Sequence, residues 1–564
     1  MSESQKPLSD ARFDKLVTIL ISSVAILVAL TAFLQNYAST LSEQANRRAQ
    51  ELAIQSTTKH VTGAIQFSYD WQSAFQTWRE VDLQLVAAQQ SGDAAAEKRY
   101  ATLKEKLTAL SPLLAEPYFD TQSGWPLASQ YESDLYYVES TRLSELYAAE
   151  SAVGRAWSDT ADRFVIQITL LTVALSLYGL SLTLKGMTRW LFVIVGSGIV
   201  SVCGLWLGVE LIRPKPIVSE SAIEAYAKGV GLAYVEKHED AIASFDRAVS
   251  IKPDYANAYY ERGFSYYDKG DYERAIVDFI QAHDHGRDDK NLYWSLGWTH
   301  YLLGHYDEAI AANSMVLDND PTVVGMRLNQ ALTKLAKGDL DGTRLEYDLL
   351  LQEAARQVAE ARANGQEPAA SLWIYMDAGA TDLQNLIDQL DNNPKSWTVA
   401  PPAASISGDH QAIKNLAYEQ MVRIKEATLA LEYTGQLPPA QEVMAVLPFS
   451  FGTITEIDEE GYVIKFEEVP DATFAANSPL VDIEFSYTGP APTQQIMWRV
   501  YYNGQEDISF RSIWDPDLSG SDTWYKTVGF ITTDTFVLSP GEFFVELYVD
   551  YHLVQTGTFY VLDE

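Results

Sequence analysis

Beyond residue 212 the chain repeats itself every 34 residues, and this period constrains the fold more than any single residue does. Gly229, Gly263 and Gly297, followed by Ala331, share one position of the repeat, and Ala241, Ala275 and Ala309 share another. Phe245 and Phe279 recur in register, as do Ala248 and Ala282, and Pro253 and Pro321. Periods of this length mark small units that stack on one another and bury a continuous core between them. Three repeats, 222–255, 256–289 and 290–323, match well. A fourth, 324–357, is degenerate, with Thr343 in place of the alanine and Tyr347 in place of the phenylalanine.

The pattern resembles the tetratricopeptide repeat, in which a small residue of helix A lets helix B approach and an alanine of helix B completes the contact. The resemblance implies an α-solenoid over 219–357 that binds other proteins or peptides and does no chemistry itself. It also implies that the fifth, ninth and twelfth positions of helix A line a concave face. Those positions hold Tyr226, Tyr260 and Trp294, then Val230, Phe264 and Trp298, then Ala233, Tyr267 and Tyr301. The expected partner-binding residues are therefore Tyr226, Tyr260, Phe264, Tyr267, Trp294, Trp298 and Tyr301. Such an aromatic stripe favours an apolar or aromatic ligand segment over a peptide carboxylate. The alternative is that the chain fills the stripe itself, with Leu372–Leu390 or Gln411–Tyr433 folding back.

Three apolar spans carry almost no charge: Leu16–Gln35, Phe164–Leu184 and Trp190–Ile212. At 1.5 Å per residue each is long enough to cross a hydrocarbon core of about 30 Å. The first is too long for the core of a cleaved leader and lacks a small-x-small cleavage pattern, so it reads as a retained anchor. Lys185, Gly186, Met187, Thr188 and Arg189 join the second and third spans in a tight hairpin. Short loops weigh most in orientation, so this basic loop and the N-terminus are expected inside and everything after Ile212 outside. Gly204 and Gly208 lie on one face of the third span and are expected to pack against the second, with a homodimer seam as the alternative.

Beyond Ile212 the chain holds 25 Lys+Arg against 55 Asp+Glu, a difference of −30 within a whole-chain net charge of −35. Such a surface repels nucleic acid and anionic headgroups. The single cysteine, Cys203, lies within the third span, which excludes a disulfide framework and a cysteine-based metal site. With no Asn-x-Ser/Thr acceptor in the chain, this usage reads as an exported bacterial protein of the plasma membrane.

Residues 36–163 read as an antiparallel helical stalk continuous with the spans. Apolar residues recur at helical spacing from Leu52 to Trp78, Ser91-Gly92-Asp93 breaks the first helix, and a helix from about Leu127 feeds into the second span. Trp71, Trp78, Trp125 and the Tyr136-Tyr137 pair read as core, with a ligand pocket as the alternative. After the repeats, 358–440 supplies further helices and a linker that closes at Pro438-Pro439. From about Val443 the period changes to 2, in Val481–Tyr487, Met497–Tyr502 and Phe543–Val549, with Asn503-Gly504 and Pro540-Gly541 as turns. The segment Leu538–Val561 resembles the closing hairpin of immunoglobulin-like sandwiches, which implies that 443–564 is a small all-β domain.

No nucleophile elbow, phosphate-binding loop, zinc-binding His pair, kinase or dinucleotide-binding signature occurs. His283-Asp284-His285 with Asp288 and Asp289 reads as a solvated loop rather than a metal site, and Asp515–Gly520 mimics a calcium loop whose closing acid is replaced by Lys526. The sequence thus predicts a multidomain protein without catalytic, metal or cofactor residues: a cytoplasmic tail and first span (1–35), a stalk (36–163), a membrane hairpin (164–212), a solenoid, capping helices and a β-sandwich. Its expected work is capture of a protein or peptide by a scaffold integral to the bilayer, which a homo-oligomer would also allow. A transmembrane sensor with a ligand-binding stalk, or a non-catalytic subunit of an enzyme complex, are the alternatives.

Overall fold

A computed structural model describes residues 8–394, 398–438, 443, 445–457, 463–475, 478, 480–488, 494–514, 523–529 and 538–563. The chain divides into two compact units, 1–287 and 288–564. It is mostly helical, with apolar helices first, helical repeats next and an all-β region last.

In the first unit, α1 (Leu8–Tyr69) continues through a π turn (Asp70–Phe75) into α2 (Gln76–Ser91). Gly92, at φ 71°, ends it, and Asp93 caps α3 (Ala94–Thr108) by accepting from the amides of Ala95 and Ala96. A short hairpin, β1 (Phe119–Asp120) and β2 (Trp125–Pro126), leads to α4 (Ala128–Glu132), a second π turn (Ser133–Tyr137) and α5 (Val138–Thr183). The antiparallel pair α1 and α5 approach closely where side chains are small. Ser42 Oγ donates to the Gly154 carbonyl at 2.9 Å, Ser56 Oγ to that of Ser140 at 2.9 Å, and a Cβ on Gly63 would stand 2.2 Å from Tyr136 Cβ.

Helix α6 (Thr188–Ile212) completes the apolar bundle. Three helical stretches, Arg12–Ser91, Ala128–Thr183 and Thr188–Ile212, are long and apolar enough to cross a membrane. Gly196 meets Tyr178 of α5, a Cβ there lying 3.0 Å from the ring. The expectation that Gly204 and Gly208 pack on the second span is corrected: a Cβ on either would meet nothing within 4 Å. At the end of this bundle Glu210 is buried and ion-paired to Arg163, Arg213 and Lys215 at 3.2, 3.6 and 2.9 Å.

The repeats follow as helix pairs: α7 (Glu220–Tyr234) with α8 (His238–Ile251), and α9 (Ala256–Asp268) with α10 (Tyr272–Asp284). The second unit holds α11 (Lys290–Leu302) with α12 (Tyr306–Leu317), and α13 (Val324–Lys337) with α14 (Leu340–Ala363). The periodic glycines explain themselves at the A–B contact. A Cβ on Gly229 would lie 2.5 Å from Phe245, one on Gly263 2.7 Å from Phe279, and one on Gly297 2.4 Å from Asn313 Oδ1. A second periodicity sits in the A–B turn, where Glu236, Gly270, Gly304 and Gly338 all take positive φ (60°, 76°, 76° and 87°).

Helices α15 (Ala370–Leu390) and α16 (His410–Thr434) close the helical region. The β region comprises β3 (Ala445–Val446), β4 (Ser450–Ile457), β5 (Val463–Glu468), β6 (Thr473–Phe474), β7 (Leu480–Thr488), β8 (Ile496–Tyr502), β9 (Gln505–Glu506), β10 (Ser512–Trp514), β11 (Thr523–Gly529), β12 (Gly541–Val549) and β13 (His552–Val561). One sheet runs β10-β8-β12-β13-β6 with β9 on β8, the other β11-β7-β4-β5 with β3 on β7. All pairs are antiparallel except β13 with β6. Alternate residues of β7, β8 and β12, among them Ile483, Trp498 and Leu547, form one buried core.

The opposite residues of β8 and β12 are not left to water. Met497 and Tyr548 pack on Leu429 of α16, and Lys425 of α16 pairs with the buried Glu546, which also accepts from Tyr501 (2.9 Å) and Tyr548 (2.7 Å). Glu426 accepts from the Leu553 amide at 2.9 Å. This sheet is therefore covered on both faces.

Candidate functional site

The aromatic helix-A positions sit in two settings, one in each unit. In the first, Tyr226 is buried against Phe245 (5.9 Å between ring centroids) and Tyr255 (5.2 Å), and burial pushes its phenol well above the usual range. Tyr260 is buried beneath the Arg287 guanidinium, 3.4 Å from the ring centroid. Phe264 stands edge-on to Tyr260 at 4.9 Å and Phe279 at 5.4 Å, and Tyr267 lies 5.4 Å from Tyr272. These last two rings are only partly buried.

Helix A of the first repeat already carries a neighbour from the stalk. The Ser133 hydroxyl donates to the Gly231 carbonyl at 3.2 Å, Tyr137 stacks on Tyr234 at 4.6 Å, and the Tyr234 hydroxyl donates to Glu132 at 2.6 Å. A Cβ on Gly231 would stand 2.3 Å from Val138 Cγ2, so glycine permits the approach. Further along α5, Glu145 accepts from the Tyr255 hydroxyl (2.8 Å) and the Asn257 amide (2.9 Å), and Arg287 donates to Asn257 Oδ1 at 3.1 Å. Burial raises the Glu145 carboxyl, and pushes Glu261 up to about 7 against the opposing pull of Arg287.

In the second unit Trp294 lies 5.4 Å from Tyr375 of α15, over Gly325, where a Cβ would collide with both rings. Trp298 packs 5.1 Å from Tyr301, which is 2% exposed and whose hydroxyl has no hydrogen-bond partner among the described residues. Burial raises the Tyr301 phenol well above its usual range and Asp382 of α15 raises it further, while burial pushes the Asp382 carboxyl up to about 7. Leu328 of α13 fits beneath Gly379, 2.5 Å from a Cβ built there. The segment 372–390 thus folds back onto helix A of the third and fourth repeats. The docking of α5 on the first repeat has no counterpart in the sequence analysis, because its contacts join residues about 100 positions apart.

Trp78, Phe75 and Tyr131 belong to one buried cluster at the far end of the stalk, with the partly buried Trp71 packed against it, and the Trp78 indole donates to Thr108 Oγ1 at 3.0 Å. His283 lies 3.6 Å from Asp284, and His285 stacks on Tyr259. Asp288 accepts from Tyr293 and Asp289 caps α11. Among the described residues no three His, Cys, Asp or Glu side chains form a metal-binding group. The Asp515–Gly520 loop lies outside the described residues.

Two family profiles match this chain, "TPR repeat" over residues 231–270 and "Tetratricopeptide repeat" over residues 265–323. Among solved structures it is similar to YrrB, described as a TPR protein with an unusual peptide-binding site, at 15% identity and TM-score 0.24, over 37% of this chain and 91% of that one. It is also similar to the alkylpurine DNA glycosylase AlkC of Pseudomonas fluorescens bound to DNA containing an abasic site analogue, at 10% identity and TM-score 0.22, over 60% of this chain and 87% of that one. No curated protein matches. Family profiles and fold agree on the central region: residues 231–323 carry tetratricopeptide repeats, the architecture of a protein-interaction scaffold.

Proposed function

We propose that this protein is a membrane-anchored scaffold that captures a protein or peptide segment through helix A of its repeats, with its repeats and β region on the outer side of a bacterial plasma membrane. The observation that carries the reading is the occupancy of these helices. In the first unit α5 lies on helix A of the first repeat, and in the second α15 lies on Trp294. Helix-binding faces are thus part of the fold, and Phe264 and Tyr267 offer partly exposed rings beside them.

A hot-spot aromatic carries about 2 kcal/mol, so Phe264→Ala with Tyr267→Ala is expected to weaken partner capture by about 30-fold if one ring is the anchor and by about 1,000-fold if both are. The measurement is crosslinking in intact cells with a photoreactive residue at position 268, scored beside the melting temperature. Unchanged crosslinking in a folded double variant removes helix A of the second repeat as the capture surface. Trp294→Ala is expected to act differently, lowering stability because Tyr375 rests on it.

A sensor reading is favoured by one observation. Helix α5 runs unbroken from its contacts with the first repeat into the apolar span that ends at Thr183. Displacement of α5 by a partner would move a membrane helix.

A further inference from the structure

Three buried carboxylates set a contrast, and two of them have cations: Glu546 has Lys425, and Glu210 has Arg163, Arg213 and Lys215. The third, Asp70, is 0% exposed and pairs with no Lys, Arg or His among the described residues. Its Oδ2 accepts from the Gln66 amide at 2.9 Å and the Tyr131 hydroxyl at 2.6 Å, while Oδ1 has no hydrogen-bond partner. An unpartnered buried carboxylate oxygen costs a protein several kcal/mol unless something satisfies it.

The backbone turns Asp70 inward at a defect. The long helix takes a π turn over Asp70–Phe75, and a second π turn, Ser133–Tyr137, begins two residues after Tyr131. Such insertions concentrate at functional sites. Tyr131, which donates to Oδ2, sits in an aromatic cluster: Phe67 with Tyr131 at 6.3 Å, Phe67 with Trp71 at 6.3 Å, and Trp71 with Phe75 at 5.2 Å. Nearby rings already hold cations of the chain, Arg79 over Trp125 and Lys104 over Trp78, each at 4.5 Å. Gln66, whose amide covers Oδ2, is exposed, and Phe67 and Trp71 are partly so, which gives the site an edge on solvent.

We propose that the distal end of the stalk binds a small organic amine, with its ammonium on Asp70 and its body against Phe67, Trp71 and Tyr131. A carboxylate oxygen lacking a donor selects an N–H-bearing ammonium, and π faces favour the same charge. A quaternary ammonium satisfies the rings but cannot donate to Oδ1. The ammonium donates to Oδ1 and leaves Oδ2 to the Gln66 amide and the Tyr131 hydroxyl, so Gln66 is an exposed lip of the site and not a donor it depends on. The site lies about 50 Å along the helix from Gln35, at 1.5 Å per residue, well clear of the first apolar span. It is independent of partner capture by the repeats.

The test uses the full chain in detergent, titrated by calorimetry with benzylamine, benzyl alcohol and benzyltrimethylammonium. Benzylamine is expected to bind, and the alcohol and the quaternary salt at least about tenfold more weakly. Asp70→Asn is expected to lose benzylamine at least about tenfold, while Gln66→Ala binds it as tightly or more tightly. Gln66 is exposed, so that variant folds and keeps the test decisive if Asp70→Asn does not. The proposal is overturned if benzylamine does not bind the parent or Gln66→Ala, if binding survives Asp70→Asn, or if the quaternary salt binds equally well.

Discussion

At the residue scale the third repeat breaks its own rule. Where the others hold Phe245, Phe279 and Tyr347 against the small residue of helix A, it holds Asn313, 0% exposed and with neither amide atom hydrogen-bonded among the described residues. Asn313→Phe is expected to stabilise the second unit by about 1–2 kcal/mol, since it removes an unsatisfied buried amide and restores the aromatic that Gly297 makes room for. In a unit of this size that is a rise of several degrees in Tm, measured by calorimetry; a fall in Tm would mean the amide has a use there.

Glu261 yields a pH dependence at the same scale. Its folded pKa, about 7, stands above its unfolded 4.5, so the folded state holds the extra proton between these values. Its stabilising contribution is complete below about pH 4.5 and is lost as pH rises through 7, a loss of about 3 kcal/mol. Tm should therefore fall between pH 5 and 8, and Glu261→Gln should flatten that slope. A parent and variant with parallel profiles would place the titration elsewhere.

At the scale of elements the decisive facts are which faces are covered. The face of α6 bearing Gly204 and Gly208 is open within the chain, so replacing both with leucine is expected to leave the stability of the three-helix bundle within about 0.5 kcal/mol of the parent. A large loss in thermal melts of the detergent-solubilised protein would show that another surface rests on these glycines. Gly196, set against Tyr178, is the contrasting control, and Gly196→Leu should destabilise by about 1–3 kcal/mol through overpacking. The small residues of this span look alike in sequence. Only the packing of α6 on α5 distinguishes Gly196, which fits a neighbour, from Gly198, Gly204 and Gly208, which do not.

For the whole molecule, the lone cysteine makes the proposed orientation measurable. In a Cys203→Ser background, Ser219→Cys is expected to react with a membrane-impermeant thiol reagent in intact cells, while Thr188→Cys stays unlabelled. The reverse pattern would put the repeats inside. What the sequence alone determined is local or periodic: the apolar spans, the helix break at Gly92, the small residues at the A–B contact and the alternating strands. Each rests on spacing of about 2, 3.6 or 34 residues, visible without knowing what packs on what. The turn glycines Gly270, Gly304 and Gly338 share the 34-residue spacing too but have no counterpart in the sequence analysis; the left-handed backbone that favours glycine there came from the structure. Tertiary structure alone decided what covers each face. It set α5 on the first repeat, α15 on Trp294 and α16 on the sheet, and it buried Asp70 among aromatic rings with an oxygen unpaired. These pairings join residues tens to more than a hundred positions apart, and no local pattern encodes the partner, because an apolar face specifies burial but not the surface that buries it.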